Sequence, residues 1–370
     1  MTDDATTDQD RTLIASQWRL VWWRFRRHRV ALFSSVIVAL FVLVAILADF
    51  LASGSPHDTH AHLAYLPPQP IFWFDEGAWS PHVLGVGSRR DPETLDLVFE
   101  IDPNEKIPVT FFAQGPSYHL LGVIPTDRHL LGIEGHPQRT NVFLLGADRI
   151  GRDLWSRLAV GTRTSMSIGL VGVVISLVIG IWLGGLSGYY GGWVDNAIQR
   201  LIEFFRSIPT IPLWMGLAAA LPPEWSVKQR YFALTLILSL IAWTELARVI
   251  RGRFLSLRED DFVAAARVAG CSEGRIIFRH MVPAMISHII AATTLAIPAM
   301  IISETALSFL GLGLRAPAVS WGVLLKEAQN VQAIALYPWM LLPAIPVIIA
   351  VLAFNFVGDG LRDAADPYAA

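Results

Sequence analysis

Long apolar runs alternate along this chain with short junctions rich in arginine, and the runs are Val30–Leu51, Ser165–Leu186, Ile208–Leu221, Tyr231–Ile250, Ala284–Leu310 and Leu336–Val357. Crossing a bilayer takes ~20 mostly apolar residues, because only a helix of that length satisfies its own backbone across about 30 Å of hydrocarbon. The third run reaches that length only if its helix begins near Ile198 and carries Glu203 and Arg206 at one end. The first run follows a basic stretch, as the core of a secretory signal does. It is too long for one and lacks a convincing small-x-small cleavage site, so an uncleaved anchor is expected. The pattern predicts an all-α integral membrane protein with six transmembrane helices, the first at 30–51.

Arginine placement orients the helices, because short cytoplasmic loops hold an excess of Lys and Arg. Arg19, Arg24, Arg26, Arg27 and Arg29 crowd the entrance to the first span and put residues 1–29 in the cytoplasm. Six spans then return the tail, 359–370, to the same side. The junction holding Arg251, Arg253, Arg258, Arg267, Arg275 and Arg279 also falls inside. Arg152, Arg157 and Arg163 fall outside, in a long loop where the rule is weak. Composition agrees with a membrane protein: charged residues are 16% of the chain and hydrophobic ones 53%, against roughly 25% charged in a soluble domain. That excludes a disordered chain, a nucleic-acid binder and an ordinary cytosolic enzyme. A single cysteine, Cys271, excludes an intrachain disulfide framework and a Cys-cluster metal site.

Two loops exceed what connection requires. Residues 52–144 form an extracytoplasmic insertion in which LDLVFEI and VTFF have strand-like content. It is either a small lobe with some β-structure or an irregular cap over the helix ends. Phe72, Trp73, Phe74 and Trp79 within it either offer an apolar patch to a partner or form the lobe's own core. His57, His60, His62 and His82 have no HxxxH helix or carboxylate partner to suggest a metal, and read as solvated. The second loop, Gly252–Pro283, falls into two helical pieces. Phe262, Ala265, Ala266 and Ala269 recur at helix spacing, with Arg267 on another face. Gly270 ends that piece as a C′ residue does. Ser272 caps a second piece carrying Ile276, Ile277 and Phe278, which Pro283 stops. Such a loop suits close approach by a partner, or an amphipathic helix on the bilayer surface.

That loop resembles the signature loop of ABC importer permeases: Glu-Ala-Ala, three residues, Gly, nine residues, then Ile-x-Leu-Pro. Here the positions are Ala264-Ala265-Ala266, Gly270 and His280-x-Val282-Pro283. Ala264 replaces the Glu, so an ion pair made by that Glu is absent or supplied by Asp260 or Asp261. His280 replaces the Ile. LLGADRIGRDLWSRLAVGTRTS, SETALSFLGLGLRAPAVSWGVLL and LAFNFVGDGLRDAADPY resemble the dipeptide/oligopeptide branch, C-subunit type. The likeness covers the first span and nearly everything from Leu144 to Tyr368, but not the insertion.

The resemblance implies the type I importer permease fold, with a core at 145–358 and a coupling loop at 252–283, in a bacterial inner membrane. It implies a second homologous permease as partner, two cytoplasmic ATPase subunits and a solute-binding protein outside. ATP and Mg would sit on the ATPases; this chain has no GxxxxGK[ST] phosphate loop, needs no cofactor or metal and is not an enzyme. Phe262, Val263, Ala264, Ala265, Ala266, Arg267, Gly270, Phe278, His280 and Pro283 are the implied ATPase-docking residues. Peptides are the expected cargo, with nickel, opines or sugars as alternatives.

Other residues have two readings. Glu304 and Glu245 are ionisable groups at membrane depth and are candidates to line the pathway. Glu304 otherwise bonds within the protein, and Glu245 otherwise pairs with Arg248 at i+3. Asp148, Arg152 and Asp153 contact the binding protein or form a cap with internal ion pairs, Asp148 being placed to cap a helix through Arg152–Arg157. Gly184, Gly185, Gly188, Gly191 and Gly192 suggest close helix packing. A secondary transporter would show inverted repeats with matching broken helices; Pro209 and Pro212 interrupt the third span without a counterpart. An intramembrane enzyme would need an HExxH, Ser/His or paired-Asp constellation in the spans, and none is there.

Overall fold

A computed structural model of the chain describes residues 17–90, 92–93, 97–135 and 141–365. Residues 1–16 of the N-terminal segment and 366–370 of the tail, including the DPY that ends the last motif, lie outside the described residues. The bundle begins with α1 (Gln17–Arg27) and α2 (Arg29–Ile46), parted at His28. The His28 ring accepts from the Ala31 amide at 3.1 Å and so caps α2. The longest helix, α3 (Leu154–Tyr190), ends at Gly191, whose φ of +66 only glycine adopts readily. After it come α4 (Gly192–Ser207), α5 (Thr210–Ala219) and α6 (Val227–Leu257). Ser226 and Gln229 close a capping box at the start of α6. The chain finishes with α7 (Asp261–Val268), α8 (Ile286–Phe309), α9 (Trp321–Glu327) and α10 (Ala344–Ala365).

Among the described residues five helical stretches are long and apolar enough to cross a membrane: α2, α3, α6, α8 and Pro338–Ala365. The expected third span is not one helix from Ile198. It is α4 followed by α5, and ten residues of α5 rise about 15 Å, half a bilayer. Pro209 explains the break: it lacks an N–H and forces Ile208 into an extended conformation, ψ 129. Pro212 then falls in the first turn of α5, where a proline is tolerated.

The spine of the bundle is the α3–α6 pair. Gly180, Gly184 and Gly188, four residues apart, form the face of α3 against α6, and no side chain fits there. A Cβ on Gly184 would lie 2.5 Å from the Ala247 carbonyl oxygen, and one on Gly188 2.5 Å from the Phe254 Cβ. The small residues thus set the helix separation as expected. On the other flank α10 packs between α2 and α8, and Gly360 lies against Ala31.

The insertion is a β lobe. Strands β1 (Phe72–Asp75), β2 (Ala78–Arg90) and β3 (Leu97–Pro108) form an antiparallel sheet in the order β1-β2-β3; β4 (Thr110–Leu120) and β5 (Ile124–Gly132) form a separate hairpin. Its core is aliphatic: Val83, Ile107, Val109, Ile133 and Val142. A second cluster, Leu63, Leu66, Phe143 and Ala147, seats the lobe beside the turn that enters α3. The lobe and the Gly252–Pro283 loop mark opposite ends of the bundle, since α3 starts at the first and ends beside the second.

Candidate functional site

At the loop end, α7 stands on an apolar floor. Val263 and Ala266 turn inward onto Ile250, Phe254, Ile276, Ile277 and Met281, all buried. The other faces are open: Phe262, Ala264, Ala265 and Arg267 are exposed, and Val268 is 91% exposed. The inward face is therefore Val263 and Ala266; of the helix-spaced row Phe262, Ala265, Ala266 and Ala269 only Ala266 is buried, and the other three are exposed. The helix closes in a Schellman motif, with Cys271 N–H donating to Ala266 and Gly270 N–H to Arg267, and Gly270 takes φ +72. The Arg267 guanidinium lies over the Tyr189 ring, 5.3 Å from its centroid. The Tyr190 hydroxyl donates to Glu273 at 2.5 Å. The Gly252–Pro283 loop is thereby tied to the end of α3.

Pro283 does not stop the second piece. Glu273–Arg275 runs into a π-helical turn, Ile276–Met281, then Val282–Ala284, and the break falls at Met285 with φ −108. In the wide turn Val282 N–H reaches Ile277, five residues back, which leaves room for the proline ring. Phe278 is half exposed beside Trp182, ring centroids 6.2 Å apart. His280 is half-buried, and its Nε2 has no partner among the described residues. Asp260 and Asp261 are exposed and make no ion pair among the described residues.

Beside the loop a groove of about 840 Å³ opens between α4, α5, α6 and α8. Its deep wall carries Trp214, Leu238, Ala299 and Met300, and its loop-end mouth carries Arg206, Glu245, Arg253, His288 and Arg362. Glu245 is one of the groove's lining residues, and its ion-pair partner is not Arg248. The Arg206 guanidinium bonds it instead, strapping α4 to α6. Glu304 does not line the groove. It is 1% exposed and accepts from Ser165 at 3.0 Å and Ser308 at 2.8 Å, tying α3 to α8. Arg253, His288 and Arg362 were not legible as groove residues, because three separate helices bring them together.

At the lobe end the charged cluster is internal. Asp148 is fully buried and accepts from Arg152 Nε at 2.6 Å, from Arg157, and from the Ile150 and Arg152 amides at 3.0 Å. Glu327 of α9 completes it, accepting from Arg152 at 2.7 Å and Arg157 at 3.0 Å. Burial alone would raise the Asp148 carboxyl, but Arg157 and Arg152 together hold it below its ordinary value. The cap of α3 is Asp153, not Asp148, whose oxygens are already taken by the arginines and its own turn. Asp153 accepts from Trp155 N–H at 3.1 Å, Ser156 N–H at 3.0 Å and Ser53 Oγ at 2.9 Å. Burial pushes it up to about 6. Asp148, Arg152 and Asp153 are 8% exposed or less, so they offer no surface to a binding protein.

The lobe's aromatics, by contrast, are exposed. Phe72, Trp73, Phe74 and Trp79 are 41–64% exposed and lie outside the aliphatic core. Trp73 stacks on Trp79 at 5.7 Å and on Phe111 at 6.3 Å, and Phe74 meets Trp79 edge-on at 5.4 Å. Phe111, from β4, joins the patch only through the fold. Among the described residues no group of three His, Cys, Asp or Glu side chains is placed to hold a metal.

These two ends and the groove between them are features of a membrane transport subunit, and comparison with known proteins identifies which kind. Residues 176–369, just over half of the chain, match the family described as the binding-protein-dependent transport system inner membrane component, and the chain belongs to it. Residues 16–68 match the N-terminal TM domain of oligopeptide transport permease C. The chain is 38% identical over 260 residues to the oligopeptide transport system permease protein OppC of Haemophilus influenzae, covering 70% of this chain and 80% of the relative. It is 29% identical over 360 residues to the dipeptide transport system permease protein DppC of Alkalihalophilus pseudofirmus, covering 97% and 92%. A glutathione transport system permease protein, GsiD of Pectobacterium atrosepticum, is 38% identical over 223 residues, covering 60% and 72%. Among solved structures, inward facing conformations of the MetNI methionine ABC transporter match 56% of this chain and 95% of that one, at 19% identity and TM-score 0.44. The chain is thus an ABC importer permease, a non-catalytic inner-membrane subunit that works with ATPase and solute-binding partners.

Proposed function

We propose that this chain forms one half of the pathway through which an ABC importer takes up peptides, a second homologous permease forming the other half. The observation that carries the reading is α7: small and apolar residues held exposed on a fixed floor, directly joined to the helices that line the groove. Two ATPase subunits, holding ATP and Mg, would dock there, one on each permease, and their closure would move α6 and α8. Both termini then lie in the cytoplasm, and the insertion lobe faces the solute-binding protein outside. Peptide cargo is supported by the dipeptide and oligopeptide relatives. The test is reconstitution in proteoliposomes with the second permease, the ATPases and the binding protein, following uptake of radiolabelled trialanine. ATP-dependent and binding-protein-dependent uptake is expected. Uptake of nickel or a sugar, with none of trialanine, would overturn the peptide reading.

A further inference from the structure

The helix α1, QWRLVWWRFRR, has basic and aromatic residues and no acidic one. One side of it is spoken for. Phe25, 6% exposed, and the partly buried Val21 pack on Ala31, Val357, Leu361 and Ala364, fixing α1 to the end of α10. The remaining surface is exposed: Trp22 is 55% exposed, and Arg19, Arg26, Arg27 and the adjoining Arg29 are all open. Among the described residues none of these four arginines has a carboxylate partner. Arg19 lies over the Trp23 ring at 4.9 Å, which extends its guanidinium along the helix. The single non-helical residue His28 joins α1 to the first membrane span, so this surface sits at the hydrocarbon boundary. Beyond it the exposed apolar face of α2 begins at once with Val30, Phe33 and Val36.

We infer that α1 is a binding site for the phosphate headgroups of anionic phospholipids, made by Arg19, Arg26, Arg27 and Arg29 with Trp22 as the interfacial anchor. Guanidinium forks match phosphate oxygens in pairs, and tryptophan settles at headgroup level. Four cations that have no carboxylate partner among the described residues, continuous with a lipid-facing helix, complement the negative cytoplasmic leaflet. The bilayer is favoured over an acidic protein surface because the row runs straight into hydrocarbon-facing side chains. The inference rests on the cytoplasmic placement of the N-terminus proposed above.

The test uses the full chain, purified in detergent and offered phosphatidylglycerol and phosphatidylcholine in equal amounts, with retained lipid counted by native mass spectrometry. A several-fold preference for phosphatidylglycerol is expected, lost when salt is raised, since exposed charges are screened. The combined change Arg19→Gln, Arg26→Gln, Arg27→Gln and Arg29→Gln leaves the Phe25 seam intact and is expected to bring the preference to about one. The matching four-lysine variant keeps the charge and a clear preference, and reports on the site if the glutamine variant folds poorly. Equal retention of both lipids by the wild type, at low salt, would overturn the site. So would displacement of the lipid by inorganic phosphate at equal concentration, which would mark a free-anion site. Neither readout needs ATPases or cargo, so failed peptide uptake would leave this result standing, and failed lipid preference would leave the transport reading standing.

Discussion

The coupling loop and the insertion lobe both expose apolar surface, but by opposite means. On α7 and the turn after it most of the exposed apolar residues are small, Ala264, Ala265, Val268 and Gly270, with Phe262 beside them, and the floor beneath is apolar and buried. On the lobe they are large, Trp73, Phe74, Trp79 and Phe111, stacked on one another across strands. Small residues let a partner's backbone come close, so position is transmitted with little slack. Clustered rings present a broad apolar surface of the kind enriched at interface anchors. The attachments differ too: α7 is held by apolar packing and a Schellman turn, whereas the lobe's root adds to its apolar seat a buried charge cluster, Asp148, Arg152, Arg157 and Glu327.

The sharpest way to separate the two attachments is Arg157→Ala. It leaves Asp148 fully buried with one cation fewer, and losing one partner of a buried pair typically costs about 3–5 kcal/mol. A fall of that size in stability is expected in detergent-solubilised protein. Hydrogen exchange should rise around 146–158 and in α9 while α7 keeps its protection. Uniform loosening of both ends would mean that the lobe and the loop are not independently held.

Gly270→Trp breaks the loop alone. Nothing lies within 4 Å of a Cβ at Gly270, so the damage is not internal crowding. The φ of +72 disfavours any side chain, and the indole would stand on the proposed docking surface. We expect ATPase binding to weaken by about 2 kcal/mol or more, a factor of about thirty in affinity, with membrane insertion unchanged. Assembly and substrate-stimulated hydrolysis at wild-type levels would remove α7 as the docking element.

Trp79→Ala tests the lobe's aromatic patch. Trp79 is 62% exposed and touches both Trp73 and Phe74, so its loss disperses the cluster without opening the aliphatic core. Stimulation of hydrolysis by the binding protein is expected to need about ten times more of it, roughly 1.4 kcal/mol, while basal hydrolysis stays put. An unchanged dose response would leave the patch without a receiving role.

How much of this was legible along the chain varied with the range of the contacts. Gly270 and the α7 stretch were readable because a turn and a helix are local. Which of its small residues point down was not legible in its own spacing, because Ile276, Ile277 and Met281 decide it. Arg248, three residues away, was the local partner for Glu245, yet Arg206 reaches it from 39 positions upstream once α4 lies on α6. Glu327 is 170 positions from Arg157, and nothing in the spacing pointed to it. Strand content in LDLVFEI and VTFF was visible, but only the sheet showed that Val83 and Ile107, not the tryptophans, fill the lobe. Pro209 was noticed as an interruption, and the structure shows that it divides the third span into two helices.

The smallest effect expected is a titration at the lobe's root. Asp153 is ordinarily at 3.8 and is pushed up to about 6 by complete burial. The folded protein therefore holds the proton more tightly than the unfolded chain does. Its stabilising contribution is full below 3.8 and is lost as pH rises through about 6. Going from pH 7 to pH 5 should add about 1 kcal/mol to stability in detergent. Asp148 does not blur this window: its carboxyl is held below the ordinary value, so its contribution is lost only as pH falls through that lower range. Asp153→Asn keeps an N-cap acceptor for the Ser156 amide and removes the proton, so between pH 7 and pH 5 it should lose the gain that Asp153 gives the wild type, while His57, held below its ordinary value by burial and by Arg157 and Arg152, acts in both. A wild type that gains no more than that variant would mean that the Ser53 and Ser156 hydroxyls hold Asp153 ionised across the range. The lobe's root would then contain a second buried carboxylate beside Asp148, and its dependence on buried charge, the feature that most separates it from α7, would be greater still.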